Sequence, residues 1–321
     1  MPNSGVGTMA AKQIIDQIRI LLRPAMIFIP IICAFLYPQG ATVFGDSKMV
    51  IRNLLVLMIF ITCLKLKIRD LSFRKEHWII LLLNIMMGVI PFFLARILFP
   101  QDMVYALALF FTGITPTAVA ASVIMTFLNG RAGFVMSSYI LTNTLIPLLL
   151  LVLLPYVTGN MTVDFFFDVM KTLFVVIVIP FAVSRCVLFV YRGAAQLAVK
   201  LKMLSFFIWT FMIYILSSSV ILFFRRSQDA SFTQTVIIAF LSLILCILNF
   251  YLGGKISKYR LCRECSQALG QKNTTFTVFL ALQFASVPVA LGPFFYIFWH
   301  NICNAVQMYR YDRRRIKKRK F

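Results

Sequence analysis

The chain has 321 residues, 61% of them hydrophobic and only 13% charged, whereas an ordinary soluble domain is roughly 45–50% apolar and about a quarter charged. A chain of this size in water has nowhere to put the excess apolar surface, so a soluble globular fold is excluded and an all-α membrane protein is expected. The net charge of +22 comes from 32 Lys and Arg against 10 Asp and Glu. In a soluble protein that balance points to nucleic acid. Here the basic residues lie in short clusters between apolar stretches, as in loops beside anionic lipid, and no nucleic-acid partner is expected.

Residues 1–17 are mostly polar, no secretory signal is legible, and the first apolar stretch is expected to stay as a span. A helix needs about 20 residues to cross a hydrocarbon core of about 30 Å. On that measure spans fall at 20–37, 50–66, 78–99, 103–128, 132–156, 165–190, 201–224, 233–254, 264–289 and 291–309. With the N-terminus inside, the cytoplasmic segments hold Lys12, Arg19 and Arg23, the cluster Lys65 to Lys75, Arg131, Arg185 to Lys202, Lys255 to Arg263, and the run Arg310 to Lys320. The opposite side holds Lys48, Arg52, Arg96, Lys171, Arg225 and Arg226. The strong bias toward one side supports ten spans with both termini cytoplasmic. Only Lys272 falls on neither side.

Ten spans divide into a five-span repeat over 1–158, a second over 159–309, and a basic cytoplasmic tail at 310–321. An odd number of spans per repeat makes the second copy inverted, a common build for secondary transporters. The tail is expected to anchor the chain to anionic lipid headgroups. Whether the chain forms an oligomer is not legible.

Spans 4 and 9 occupy corresponding places in the two halves, and both are polar in the middle. Span 4 reads Phe111-Thr112-Gly113-Ile114-Thr115-Pro116-Thr117, followed by Ser122 and Thr126. Pro116 lacks the N–H that continues a helix, and Gly113 weakens the helix further. Span 9 runs Ser266-Gln267-Ala268-Leu269-Gly270-Gln271-Lys272-Asn273-Thr274-Thr275. Unwound backbone in lipid survives only where protein or a wet cavity satisfies it. Paired broken spans therefore mark a midplane binding site, where helix ends offer N–H groups to anions and C=O groups to cations. The candidate substrate- and ion-binding residues are Thr112, Thr115, Thr117, Ser122, Thr126, Gln267, Gln271, Lys272, Asn273 and Thr274. Asn84, Asn143 and Asn301, from spans 3, 5 and 10, are further candidates for lining the cavity, with plain interhelical hydrogen bonding as the alternative.

At these residues the chain resembles the bile acid:sodium symporter family. Leu269 to Thr275 is similar to the family's E-x-G-x-Q-N stretch, and Thr115-Pro116, Ser122 and Thr126-Phe127-Leu128 to its proline-led stretch in span 4. Ala281-Leu282 through Pro288, Phe298 to Asn301, and the loop Leu64 to Leu71 fit neighbouring family segments. The resemblance implies ten helices in two inverted five-helix repeats, a panel and a core domain, with spans 4 and 9 broken and crossing. It also implies alternating-access transport of a small organic anion, often by symport with sodium. The family's sodium ligands are only partly present. Ala268 stands at the position of its Glu, Lys272 at that of its Gln, and Val123 at that of an Asn in span 4, while Asn273 matches.

A Lys at mid-membrane costs between about 2.5 and 17 kcal/mol, so it faces a partner or a cavity unless its stem snorkels to the interface. Lys272 is either neutral through burial or charged and held by carbonyl ends and substrate, and its ammonium is expected to take the place of a family sodium ion, which leaves a sodium requirement open. No other cofactor and no protein-held metal is expected. Cys262 and Cys265 form a C-x-x-C that lacks a second ligand pair, and they are expected to be free thiols. An enzyme is not expected, because His77 and His300 are the only histidines and lie far apart in the sequence. An arsenite or metalloid efflux permease of related fold would carry Cys and Glu where Thr115 and Ala268 stand. A sensor that kept the carrier fold without transporting is a further alternative. The expected location is the plasma membrane, in a bacterium the inner membrane.

Overall fold

The computed structural model describes residues 28–66, 71–191, 193–226, 231–257 and 260–319. Lys12, Arg19, Arg23, the first part of span 1 (20–27), Lys67, Arg69, Arg192, Lys258 and Lys320 lie outside the described residues. Every regular element among those described is helical. In chain order the helices are α1 (Phe28–Leu36), α2 (Ser47–Leu64), α3 (Lys75–Leu98), α4 (Met103–Gly113), α5 (Ala120–Phe127), α6 (Ala132–Thr158), α7 (Val163–Leu173), α8 (Ile179–Val190), α9 (Ala194–Lys200), α10 (Lys202–Arg226), α11 (Phe232–Ile256), α12 (Cys262–Gly270), α13 (Thr274–Phe284) and α14 (Val287–Arg319). A 3₁₀ segment (Pro38–Phe44) follows α1, and one π-helical turn (Phe174–Val178) joins α7 to α8.

Among the described residues, six stretches are long and apolar enough to cross a membrane: Ser47–Leu64, Lys75–Leu98, Ala132–Thr158, Val163–Val190, Leu204–Arg225 and Phe232–Ile256. The shortest has 18 residues, about 27 Å at 1.5 Å per residue, close to the hydrocarbon thickness. These are the helices of a multi-pass membrane protein. The apolar helices α4 and α13, 11 residues each, are too short to cross alone.

Four helices begin on a side chain that accepts from a free N–H of the first turn. Asp46 accepts from Lys48, Asp102 from Val104, Thr162 from Phe165 and Ser231 from Gln234. The Gln234 amide also donates to Asp102 at 2.6 Å, tying the start of α11 to the start of α4.

Two groups of helices pack mainly among themselves. In one, α3, α4, α11, α12 and α14 lie against one another, with α5 and α6 against α12. In the other, α1, α2, α8, α9 and α10 do so. The groups meet where α13 touches α2 and α10 touches α14. α3 and α4 approach each other closely, and a Cβ on Gly113 would sit 1.7 Å from the Met87 carbonyl oxygen. Gly113 is therefore the contact that lets the two backbones meet, beyond being a weak helix former.

Two boundaries differ from those expected from the sequence. The stretch 264–289 ends as helix at Phe284, and α14 starts at Val287, with Pro288 in its first turn where a missing N–H costs nothing. The stretch expected to end at 309 continues, and the backbone of α14 stays helical through the basic run to Arg319. Its side chains beyond Tyr311 are outside the described residues.

Candidate functional site at a crossing of two broken helices

Between α4 and α5 the chain leaves helical geometry around Pro116, and between α12 and α13 it does so over Gln271 to Asn273. An unpaired backbone group in apolar surroundings costs several kcal/mol. The two breaks satisfy each other. Asn273 N–H donates to the Pro116 carbonyl at 2.7 Å, and Ala118 N–H to the Gln271 carbonyl at 2.9 Å. These bonds flank Thr117 and Lys272, which pair as an antiparallel bridge.

The groups the bridge leaves over find side chains on α6. Thr117 N–H donates to Thr142 Oγ1 at 3.1 Å, and the Thr117 carbonyl accepts from Asn143 Nδ2 at 2.8 Å. Asn143 Oδ1 accepts from Asn273 Nδ2 at 3.2 Å. The open carbonyls at the end of α12 receive two hydroxyls, with Thr117 Oγ1 2.6 Å from the Ala268 oxygen and Tyr296 OH 2.8 Å from the Gly270 oxygen. The hydroxyls of Thr115 and Thr277 bond across the crossing at 2.8 Å.

Lys272 is 1% exposed. Its Nζ donates to Asn84 Oδ1 at 2.5 Å, to the Gly113 carbonyl at 2.8 Å and to the Thr115 carbonyl at 3.2 Å. An ammonium has three donors, and here each has an oxygen. All three oxygens are neutral. One belongs to Gly113 at the C-terminal end of α4, where the helix dipole concentrates partial negative charge, and one to Thr115 just beyond it. Asn84 donates its own Nδ2 to the Ile80 carbonyl at 3.1 Å, which leaves its oxygen toward the ammonium. The conformation in which the Lys272 stem snorkels to the interface is not the one adopted.

Asn84, Thr115, Thr117, Asn143, Lys272 and Asn273 thus join in one network. Thr112 is buried and bonds back to the Ala108 carbonyl. Ser122 and Thr126 bond to Val119 and Val123 within their own turn of α5, and Thr126 is exposed. Gln267 reaches α14 instead, donating to Asn304 and Gln307. Gln271 Oε1 is buried with no partner among the described residues. Thr274 is buried and offers its carbonyl to Thr277, and Asn301 bonds to Ile297 on its own helix. The Gly113 carbonyl, Thr277 and Tyr296 enter the site unannounced by the sequence. A backbone acceptor has no sequence signal, and Tyr296 sits in an aromatic run that reads as lipid-facing.

The crossing is closely filled: every residue from Phe111 to Thr117 and from Glu264 to Lys272 is buried. Cys262 and Cys265 are free thiols, and no group of three or more His, Cys, Asp or Glu among the described residues is placed to hold a metal ion. No model of a known protein family matches the chain, and no curated protein matches it significantly.

Proposed function

We propose that this chain is a secondary transporter that moves a small organic anion by alternating access, with the Lys272 ammonium standing where a coupling cation would otherwise sit. The observation that carries the proposal is the seat of that ammonium, buried among the Asn84, Gly113 and Thr115 oxygens at the crossing of two broken helices. Neutral oxygens from a side-chain amide and a helix C-terminus are the ligands a hard monovalent cation takes. A tethered ammonium there makes transport independent of sodium at this position.

The broader architecture belongs to the same proposal. Ten spans in two inverted five-helix repeats, with both termini in the cytoplasm, agree with the charge distribution. A division into panel and core domains agrees with the two packing groups, α1, α2 and α8 to α10 against α3 to α6 and α11 to α14. The resemblance to the bile acid:sodium symporter family supports an organic anion as cargo. The N-terminal ends of α5 and α13 at the crossing, together with a fixed positive charge, suit a negative substrate. We place the protein in the plasma membrane, in a bacterium the inner membrane, and assign it no catalytic activity.

Flux measurements in proteoliposomes test the proposal. A panel of carboxylates and sulfonates is expected to include one taken up equally with and without a sodium gradient, and Lys272→Gln is expected to make its binding sodium-dependent. If the wild-type chain binds anions without net flux, the carrier reading gives way to a sensor. If Lys272→Gln leaves both transport and its ion requirement unchanged, the tethered-cation role is wrong.

A further inference from the structure

Away from the crossing, the connections α2–α3, α5–α6 and α11–α12 meet around a recess of about 440 Å³, lined by Arg74, Glu76, Arg131, Ser257, Arg260 and Leu261. Three arginines from three separate connections share it with one carboxylate. Arg74, Arg131 and Arg260 are exposed. Their positions are nevertheless fixed. Arg74 N–H donates to His77 Nδ1 at 2.8 Å, and Arg131 N–H to Glu264 Oε1 at 3.0 Å. Arg260 precedes Leu261, whose carbonyl accepts from Cys265 at 2.8 Å.

Each of these arginines sits at or just before the start of a helix: α3 at Lys75, α6 at Ala132 and α12 at Cys262. The residues capping α2, α4, α7 and α11 are Asp, Thr or Ser, whereas the capping positions of α3, α6 and α12 hold Arg74, Arg131 and Leu261. The positive ends of three helix dipoles therefore add to three exposed guanidinium groups at one recess. Guanidinium forks match the oxygens of a phosphate two at a time. The volume falls in the range of roughly 300–1,000 Å³ that holds small ligands, and basic pockets between membrane helices at the cytoplasmic face take lipid headgroups.

We propose that this recess binds a phosphate group, carried either by an anionic lipid headgroup or by a free phosphate. The site is separate from the crossing and does not depend on the transport reading. Its position gives it leverage, because Arg131 follows α5 and Arg260 precedes α12, the half-helices of the two broken spans. A bound phosphate bridges the two connections and holds those half-helices together at this end of the bundle.

The test uses the purified full-length chain and follows its thermal unfolding. One arm adds inorganic phosphate in detergent. The other compares nanodiscs of phosphatidylglycerol with nanodiscs of phosphatidylcholine. Stabilisation by phosphate alone identifies a free phosphate as ligand, and stabilisation by phosphatidylglycerol alone identifies the lipid. In either case the variant Arg74→Gln/Arg131→Gln/Arg260→Gln, which keeps the basic tail, is expected to lose at least tenfold in affinity. Glu76→Gln is expected to bind severalfold tighter, because it removes a negative charge from the described lining of the recess. Should the triple variant fail to fold, Arg260→Gln alone is expected to weaken binding severalfold, and Glu76→Gln still reports on the same site. The proposal is overturned if neither probe stabilises the wild-type chain, or if the arginine and Glu76 variants bind as the wild type does.

Discussion

Thr117 and Lys272 face each other as the paired residues of an antiparallel bridge, one from each half of the chain. The bridge turns two helix breaks, each costly in lipid, into a single closed hydrogen-bonded unit. The same residue that closes the backbone sends its side chain back to the end of α4. Lys272 is thus both a backbone partner of the α4–α5 break and a cap on the end of α4.

Removing that cap has a stability cost. Lys272→Met keeps the bulk of the stem but leaves Asn84 Oδ1 and the Gly113 carbonyl without their donor. Buried acceptors left unsatisfied cost about 1–3 kcal/mol each, so a clear drop in unfolding temperature is expected in detergent. Lys272→Gln, which retains a donor, is expected to fall between Lys272→Met and wild type.

Adding a carboxylate beside the ammonium probes the charge itself. Asn84→Asp places an opposite charge at the position now 2.5 Å from Nζ. With the net charge of the seat neutralised, anion affinity is expected to fall about tenfold, roughly 1.4 kcal/mol, at little cost in protein yield. Equal KM values for wild type and Asn84→Asp would remove the fixed charge from the account of substrate attraction.

The α3–α4 contact predicts a sharp contrast between two glycines. Gly113→Ala drives a methyl into the Met87 carbonyl, whereas Gly133 has open space around its Cα. Overpacking costs typically ~1–3 kcal/mol and more against rigid backbone, so Gly113→Ala is expected to lower both membrane yield and unfolding temperature. Gly133→Ala, in the first turn of α6, is expected to be neutral or to stabilise by about 0.4–1 kcal/mol.

Thr142 carries a narrower prediction. Its hydroxyl accepts from Thr117 N–H and donates to the Ser138 carbonyl. Thr142→Val keeps the shape and removes the acceptor, at an expected cost of about 1–3 kcal/mol. Thr142→Ser restores it, so the unfolding temperature of Thr142→Ser should recover most of the difference.

Sidedness has its own check. In a background without native cysteines, Asn160→Cys in the α6–α7 connection is expected to react with an impermeant maleimide from outside intact cells. Arg131→Cys is expected to react only after permeabilisation. The reverse pattern would place the basic clusters outside.

The sequence carried the breaks because they are chemical events: Pro116 removes a donor, and the polar run around Gln271 to Asn273 is out of place in lipid. It carried Lys272 for the same reason, since a charge in an apolar run demands a partner. It did not carry the partner, because two of the three oxygens are main-chain carbonyls that every residue possesses. Gly113 was legible as a weak helix former and not as a contact, since closeness to Met87 depends on how α3 packs. Ser122 and Thr126 read as cavity residues by type alone. Their hydroxyls are turned to carbonyls of their own helix, a choice of rotamer that spacing does not encode. Apolar bulk likewise marked the long helices, while the break after Phe284 was lost in it.

The seat at the end of α4 is filled by a group on a four-carbon tether. A dissolved ion reaches such a seat only at a rate and occupancy set by its concentration, and it leaves when the medium is diluted. The Lys272 Nζ has no bulk concentration, so its presence in the seat is the same in fresh water as in brine. The closure of the crossing is in this respect expected to be insensitive to the salinity on either face of the membrane.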